Sequence, residues 1–575
     1  MPETRIPPHL HLDLTEPHRH LVRATLRWTP RGRSCLVRLP AWTPGSYLIR
    51  DYVRTLEGLA GRQGGEALAI ERLEPACWRV STPSAEPVEL HWRILATDLS
   101  VRTCQLNADH GFLCLAGVAL QLEGERWTPH RLSLRLPEGW QPFLSLPDDQ
   151  GTWLAPDFDT LIDSPIEAGP HPVHAFTVAG VPHRWVSWGA DLPSQDPGWL
   201  ADVERVALAC CRLLGEERPA AGRYLFVLHL LEKGYGGLEH DEGCVLQYGR
   251  GALLEPQGRR RLLQLVAHEY LHQWNVRRLR PAELTPIDYD RATVVPTLWF
   301  AEGITSYVDQ LLPLAAGLSS EADLLEDLGS DLSRYRLTPG RFVQSLRASS
   351  QEAWVKLYRP DPHSADSQVS YYLKGALLAL VLDLHLRRHG SALGTVLRDL
   401  WRSHGRHGRG YLERDLIAAF SRHAPDLSTL LPCWLDSGED PDLDSYLMDV
   451  GLRLIPVPAG HSDPGWQCGA SLSLERVRRS GAAEAAGLQV GDELLALQQQ
   501  RIRSTEHLTT LLRAAAAADP SSQQGLHLLF CRDGRIRETT LRPAAPGTER
   551  WQLEIDPQAA PECAERRRRW RELLP

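Results

Sequence analysis

His268, Glu269 and His272 are the residues whose types and spacing most directly specify a chemistry. They form an H-E-x-x-H motif. Each residue of an α-helix advances about 100°, so positions four apart differ by about 40° and project from one face. Two imidazoles placed this way can bind one metal ion. Glu269 sits beside them, near enough to reach a metal-bound water without being a ligand. Catalytic zinc usually takes three protein ligands and keeps one position for water, so a third ligand is required. Residues 296–307, PTLWFAEGITSY, offer Glu302, a carboxylate in an otherwise apolar stretch that reads as the start of a second helix with Thr297 as its N-cap. Gly303 follows it. Glycine inside a helix costs about 0.5–1 kcal/mol relative to alanine, and close approach of two helices at a shared metal site is a good reason to accept that cost. The plainer alternative for Glu302 is an acidic surface residue in a first helical turn.

The elements that must position these groups can be read around them. Leu262, Leu263, Leu265, Val266 and Leu271 recur at near-helical spacing, and Pro281 marks where the helix should stop. The stretch HEYLHQWNVRRLRP at 268–281, followed by IDYDRATVVPTLWFAEGITSY at 287–307, resembles the glycyl aminopeptidase family of zinc metallopeptidases. Its members have a thermolysin-like gluzincin core and a C-terminal PDZ domain. The resemblance implies one zinc ion per chain on His268, His272 and Glu302, with Glu269 as general base.

Three further stretches carry the same resemblance. Residues 42–50, WTPGSYLIR, are similar to the family's W-x-P-G-S-Y-x-x-R signature. By itself this is a loop rich in proline and glycine between strands; its functional reading is a rim of the active-site cleft. Residues 236–240, GGLEH, resemble the G-x-M-E-N segment of related aminopeptidases. That likeness implies that Gly236 and Gly237 line the substrate and that Glu239 holds its free amino group. The family continues with a small hydroxyl residue where this chain has Asp241-Glu242-Gly243-Cys244, a departure that bears on substrate preference. Glu239 as an ordinary turn residue is the competing reading. Residues 370–375, SYYLKG, resemble the family's Y-x-K-G segment, which implies Tyr372 as the phenol that hydrogen-bonds the oxyanion. Adjacent helical positions point about 100° apart, so at least one of Tyr371 and Tyr372 should simply pack in the core.

The rest of the chain divides around this centre into a multidomain α+β protein. Residues 1–178 carry short alternating runs (HLHLDLTE, HLVRATLRW, SCLVRLPAW, CWRVS, VELHWRILAT, LCLAGVALQL and HRLSLRLPEGW) and predict a β-sandwich-like domain. Residues 179–448 predict a thermolysin-like, mainly α-helical catalytic domain. Its early strands flank the glycine-rich segment at 234–237, where an extended peptide could add as a further strand. Residues 449–548 are expected to form a PDZ domain, because SGAAEAAGLQVGDELL at 480–495 matches the A-G-L-x-x-G-D-x-L pattern, with Gly481-Ala482 where a proline is common. Ser504 should cap a helix running to residue 518. Such a domain can capture an extended peptide or a C-terminus, and a packing role is equally open. Residues 549–575 are expected to be a tail, whose basic run reads as a solvated helix.

Composition narrows the class. At 575 residues the chain is too long for one core, and 43% apolar with 23% charged residues describes an ordinary globular protein. A net charge of −9 argues against nucleic-acid binding. The 11 cysteines are scattered, two of them adjacent at 210–211 and none in C-x-x-C, a pattern suited to reduced thiols in the cytoplasm. The first residues show no apolar signal-peptide core, and no apolar run approaches the length of about 18 that a bilayer span needs. Two methionines, 42 prolines and basic residues that are mostly arginine suggest a bacterial source. The reading is a zinc-dependent aminopeptidase that removes small N-terminal residues, Gly or Ala, from peptides with a free N-terminus. Two others stay open on sequence alone: a zinc endopeptidase or oligopeptidase with the same chemistry, and a PDZ scaffold with an inactive peptidase core.

Overall fold

The computed structural model of the protein describes residues 5–518 and 525–574. The N-terminal region is built from strands that bury alternate side chains. Val22, Ala24, Leu26 and Trp28 on Leu21–Trp28 lie opposite Ile94, Trp92, Leu90 and Val88 on Val88–Leu95, so two buried rows stack on one face of an eight-stranded sheet. A four-stranded sheet containing Ser34–Arg38 and Cys77–Ser81 adds Val37, Trp78 and Val80 to the same core. The strands expected near residues 9, 21, 34, 77, 88 and 130 are all present. Leu56–Gln63 was not foreseen, because Gly58, Gly61 and a bulge between Glu57 and Ala60 interrupt its alternation. The run LCLAGVALQL is not one strand: Gly111–Leu113 is followed by a 3-10 turn at Leu115–Gly117.

A five-stranded sheet comes next, in the order Val173–Val178, Val181–Trp188, Tyr224–Leu231, Gly243–Gly249, Tyr235–His240. Its first two strands form a hairpin, and the domain boundary expected at 178/179 falls inside it. Tyr224–Leu231 has parallel neighbours on both sides and is buried along almost its whole length, which explains its unbroken apolar sequence. Among the described residues Tyr235–His240 pairs as a strand only with Gly243–Gly249, which leaves its other edge open.

Helices cover this sheet. The H-E-x-x-H residues lie at the end of Gly258–Leu271. The helix expected to run to Pro281 stops at Leu271, and residues 272–279 form irregular turns. Side chains take the carbonyls that a continued helix would use: His272 Nδ1–H donates to Asn275 O at 2.5 Å and the Arg278 guanidinium to Gln273 O at 2.7 Å. Glu302 sits in a π-helical turn, Trp299–Gly303, that opens onto Ile304–Ala315. Thr297 does not cap it with its hydroxyl, which is buried without a partner; its carbonyl instead accepts from the Phe300 and Ala301 amides. Gly303 does mark a close helix approach, but to Tyr371–Arg388 rather than to the H-E-x-x-H helix. A Cβ at Gly303 would lie 2.5 Å from Gly375 Cα.

The C-terminal region holds a four-stranded sheet, Gln500–Arg501, Glu493–Leu497, Leu526–Arg532 and Arg535–Leu541, with its own apolar cluster that includes Leu474, Leu494, Leu508, Leu528 and Phe530. The helix Thr505–Ala518 begins where expected, with Ser504 Oγ accepting from the His507 amide at 3.2 Å. Residues beyond it return to the helical region. Thr548–Ile555 pairs with Leu452–Pro458, and Leu553 packs on Gly329 of Glu321–Arg336. The basic run at 564–571 is helical, within Pro561–Trp570, but it is docked rather than solvated. Trp570 is 1% exposed and donates its indole N–H to Tyr307 Oη at 2.8 Å, while Arg567 pairs with Glu321 at 2.8 Å. Among the described residues no helix is long and apolar enough to cross a membrane.

Candidate active site

His268 and His272 turn their Nε2 atoms to the same oxygen, Glu302 Oε2, at 3.6 and 3.2 Å. Their Nδ1 atoms are held on the far side. His268 Nδ1–H donates to Asp309 Oδ2 at 2.8 Å, and His272 Nδ1–H to Asn275 O. Fixing Nδ1 as the donor leaves Nε2 with its lone pair free for a metal. Burial opposes ionisation of Glu302, yet the two imidazoles hold its carboxyl down at about 2. Two imidazoles and one carboxylate converging on a point are a donor set that fits zinc and leaves a coordination position open. Asn275 ties the ligand-bearing segments together, its amide donating to Phe300 O and Ala301 O at 3.3 and 3.2 Å.

Glu269 and Glu239 complete the charged surface. Each is buried and each has one carboxylate oxygen without a hydrogen-bond partner. Their carboxylates and a His272 ring nitrogen lie within 4.8 Å of one another. Two glycines make room for them. Any Cβ at Gly237 would collide with the Glu269 carboxylate, and one at Gly45, which has φ +81°, would sit 2.6 Å from both Glu239 oxygens. Gly45 belongs to the loop WTPGSYLIR, so that loop does line the cleft. It is anchored there by Trp42, whose indole N–H donates to Asp288 O at 2.7 Å. Burial pushes the Glu269 carboxyl up to about 7, against the pull of His268 and His272.

Tyr372 lines the same cavity, of about 800 Å³, together with Gly236, Gly237, Glu239, Glu269 and the three candidate ligands. Its hydroxyl lies 3.1 Å from that of Tyr358. Tyr371 is fully buried in the core, and its ring stacks on that of Tyr372 with centroids 4.7 Å apart. The sequence reading missed Asp309 and Tyr358. Asp309 had a signal, since it follows Glu302 by about two helical turns and so shares its face. Tyr358 lies in turns outside any periodic element and had none.

A second buried cluster lies away from the cavity. Glu167 accepts from His110 Nδ1, His171 Nε2 and His229 Nε2, each at 2.9 Å. An ionised carboxylate can only accept, so all three imidazoles donate to it. Burial works against its charge, but these three donors hold its pKa well below the usual carboxylate range. Glu167 lies on the N-terminal strand Ile166–Gly169 with His171 just beyond it and His110 just before Gly111–Leu113, whereas His229 lies on Tyr224–Leu231. The cluster therefore staples one region to the other.

With this geometry in view, similarity to known proteins can be placed. Residues 9–170 match the Peptidase M61 N-terminal domain, and residues 261–378 match the M61 glycyl aminopeptidase family. No curated protein sequence matches the chain. Among solved structures, an aminopeptidase N family protein from Idiomarina loihiensis is similar over 98% of this chain and 100% of its own, at 26% identity and a TM-score of 0.90. An M1 zinc metallopeptidase from Deinococcus radiodurans aligns with 76% of this chain and 95% of its own, at 16% identity and a TM-score of 0.47.

Proposed function

Because this chain belongs to the M61 family of metallopeptidases, we propose that it is a zinc aminopeptidase that removes the N-terminal residue, small and either Gly or Ala, from peptides with a free amino group. The observation that carries this reading is the convergence of Glu239, Glu269 and Glu302 on one cavity, with an unpartnered oxygen on each of the first two. Buried polar atoms without partners are rare, and a site rich in them is built for cations that arrive: a metal ion and a substrate ammonium.

In this proposal His268, His272 and Glu302 hold one zinc ion per chain. Zinc there supplies a Lewis acid that polarises the scissile carbonyl and makes water nucleophilic at neutral pH. Glu269 takes the proton of the attacking water and delivers one to the leaving amine. Tyr372 donates its hydroxyl to the developing oxyanion, oriented by Tyr358. Glu239 binds the ammonium of the substrate, whose backbone adds along the open edge at Gly236 and Gly237. The preference for a small residue is supported by the match to a glycyl aminopeptidase family. We further propose that residues 449–548 include a PDZ domain able to capture an extended peptide or C-terminus; the A-G-L-x-x-G-D-x-L match and the sheet with its helix at Thr505–Ala518 support this.

The test pairs zinc content with hydrolysis of peptides that differ only in N-terminal acetylation. Stoichiometric zinc and cleavage of the free-amine peptides alone are expected. Equal internal cleavage of acetylated peptides would replace this reading by an endopeptidase.

A further inference from the structure

The N-terminal region sends one cation into the cavity. Arg102 is among its lining residues, and its Nη2 donates to Gly237 O at 3.2 Å. Its Nε is buried without a partner. Its backbone is fixed, since its carbonyl accepts from Tyr52 Oη at 2.7 Å. Arg50 stands near it, donating to Ser46 Oγ from Nε and Nη2 at 3.3 and 2.9 Å. Burial lowers the Arg50 pKa, Tyr52 works the other way, and the charge of Arg102 lowers it further. The bonds that the two guanidinium groups make among the described residues go to a carbonyl and a hydroxyl, both neutral. Partly buried cations without a counter-ion are expensive to keep, and an incoming anion relieves that cost.

The position of Arg102 says where on the substrate the anion should be. In a strand, the N–H and C=O of one residue point to the same edge. Gly237 O is reached by Arg102 from outside the sheet, so Gly237 faces the open edge that a peptide would use. A peptide added antiparallel to Tyr235–His240 runs from the Glu239 end toward the Tyr235 end. Glu239 and Gly237 are two residues apart, about 7 Å along the strand. That is the span of an extended dipeptide from its ammonium to its carboxylate. With the ammonium at Glu239 and the scissile bond beside Glu269, the second residue of the substrate reaches Arg102.

We propose that Arg102 is a specificity residue that binds a carboxylate on the leaving side of the scissile bond, so that the favoured substrates are dipeptides or peptides with an acidic second residue. The inference rests on the aminopeptidase reading for the direction of the peptide. Two sources share this chemistry, the terminal carboxylate and an acidic side chain.

Binding is measured by calorimetry to the full chain carrying Glu269→Gln, in which substrates stay intact. The ligands are Gly-Ala, Gly-Ala-amide, Gly-Asp-amide and N-acetyl-Gly-Ala. Gly-Ala or Gly-Asp-amide, according to the source of the carboxylate, should bind at least about tenfold more tightly than Gly-Ala-amide. Adding Arg102→Met should close that gap to within about twofold, and Arg102→Lys should restore part of it. The comparison is a ratio within each variant, so a general loss of affinity from a shifted edge strand cancels. Equal binding of all three free-amine ligands, or a gap that persists in Arg102→Met, overturns the proposal. N-acetyl-Gly-Ala reports separately on the parent reading. If it binds as well as Gly-Ala, the ammonium site fails while the carboxylate preference is judged on its own arms.

Discussion

Gly303 and Gly375 meet backbone to backbone. A Cβ on Gly303 would lie 2.5 Å from Gly375 Cα, and one on Gly375 would lie 2.9 Å from both Gly303 Cα and Trp299 O. Glu302 immediately precedes the first glycine and Tyr372 lies about one turn before the second, so this contact sets the distance between a candidate metal ligand and the candidate oxyanion donor. Substituting alanine at either glycine should force the two helices apart. Overpacking of this kind costs about 1–3 kcal/mol. Gly375→Ala should lower the melting temperature and cut kcat more than zinc content, because Tyr372 moves while His268 and His272 do not. Unchanged kcat in a destabilised variant would show that the glycines serve packing alone.

The metal centre separates ligands from groups that orient them. Glu302→Ala should leave two imidazoles and lower zinc content sharply. Glu269→Gln should keep stoichiometric zinc and lose most turnover. Asp309→Asn should fall between them, because the His268 ring loses the carboxylate that fixes its tautomer; such changes typically weaken metal affinity about 10–100-fold. Zinc competition with a chromophoric chelator measures all three. Wild-type metal affinity in Asp309→Asn would remove Asp309 from the site.

Tyr371 and Tyr372 offer an internal control, since one is in the core and its neighbour is in the cavity. Tyr372→Phe should lower kcat by the equivalent of about 2.7–4 kcal/mol with KM little changed. Tyr371→Phe should leave kcat near wild type. Reversal of the two results would mean that the core tyrosine, and not its neighbour, reaches the oxyanion.

The contrast between these residues and the ones missed explains what could be read from sequence. H-E-x-x-H, the Glu302 stretch, GGLEH and SYYLKG are local patterns, each confined to one helix or one strand, and local spacing determines which face a side chain takes. Arg102 has no such pattern. It lies in a turn, and it matters only because its side chain reaches Gly237 from another part of the folded chain. His110 and His229 lie far from Glu167 in the sequence and meet it only in the folded chain. The tail failed for a related reason: a run of arginines looks solvated until Glu321 and Tyr307 are seen to face it.

Glu167 yields an expectation about pH. Its folded pKa is depressed by three imidazole donors, although burial works the other way. Such a group stabilises the fold fully above its unfolded value, near 4.5. As pH falls below that value the unfolded chain takes up a proton that the folded chain still refuses, and stability declines. Glu167→Gln should remove this part of the acid-side slope. It should also lower stability at neutral pH, since three buried imidazoles lose a charged acceptor and a hydrogen bond to a charged group contributes about 1.5–3 kcal/mol. Thermal melts of both proteins between about pH 3.5 and 7 check both effects. Parallel curves would mean that the cluster does not titrate with unfolding.

A buried carboxylate ties the C-terminal sheet region to the segment that leads to Tyr372. Asp366 is 2% exposed at its side chain and pairs with Arg476 at 2.6 Å, while its other oxygen accepts from the Arg479 amide at 3.3 Å. It belongs to the short helix Ser364–Ser367, from which the chain passes to Ser370, whose hydroxyl accepts from the Tyr372 amide at 3.2 Å. Truncation is a poor probe of this link, because cutting near residue 455 also removes Trp570 from Tyr307 and Leu553 from Gly329. Arg476→Ala is cleaner. It strands a buried charge, which destabilises by about 3–5 kcal/mol, and it loosens the segment that presents Tyr372. The variant should melt earlier and show a lower kcat with normal zinc content. Adding Asp366→Asn should recover part of the lost stability, since an unpaired amide is less costly to bury than an unpaired carboxylate. If Arg476→Ala melts and turns over like wild type, the ion pair has no hold on Tyr372, and the C-terminal region acts on catalysis by some other contact or not at all.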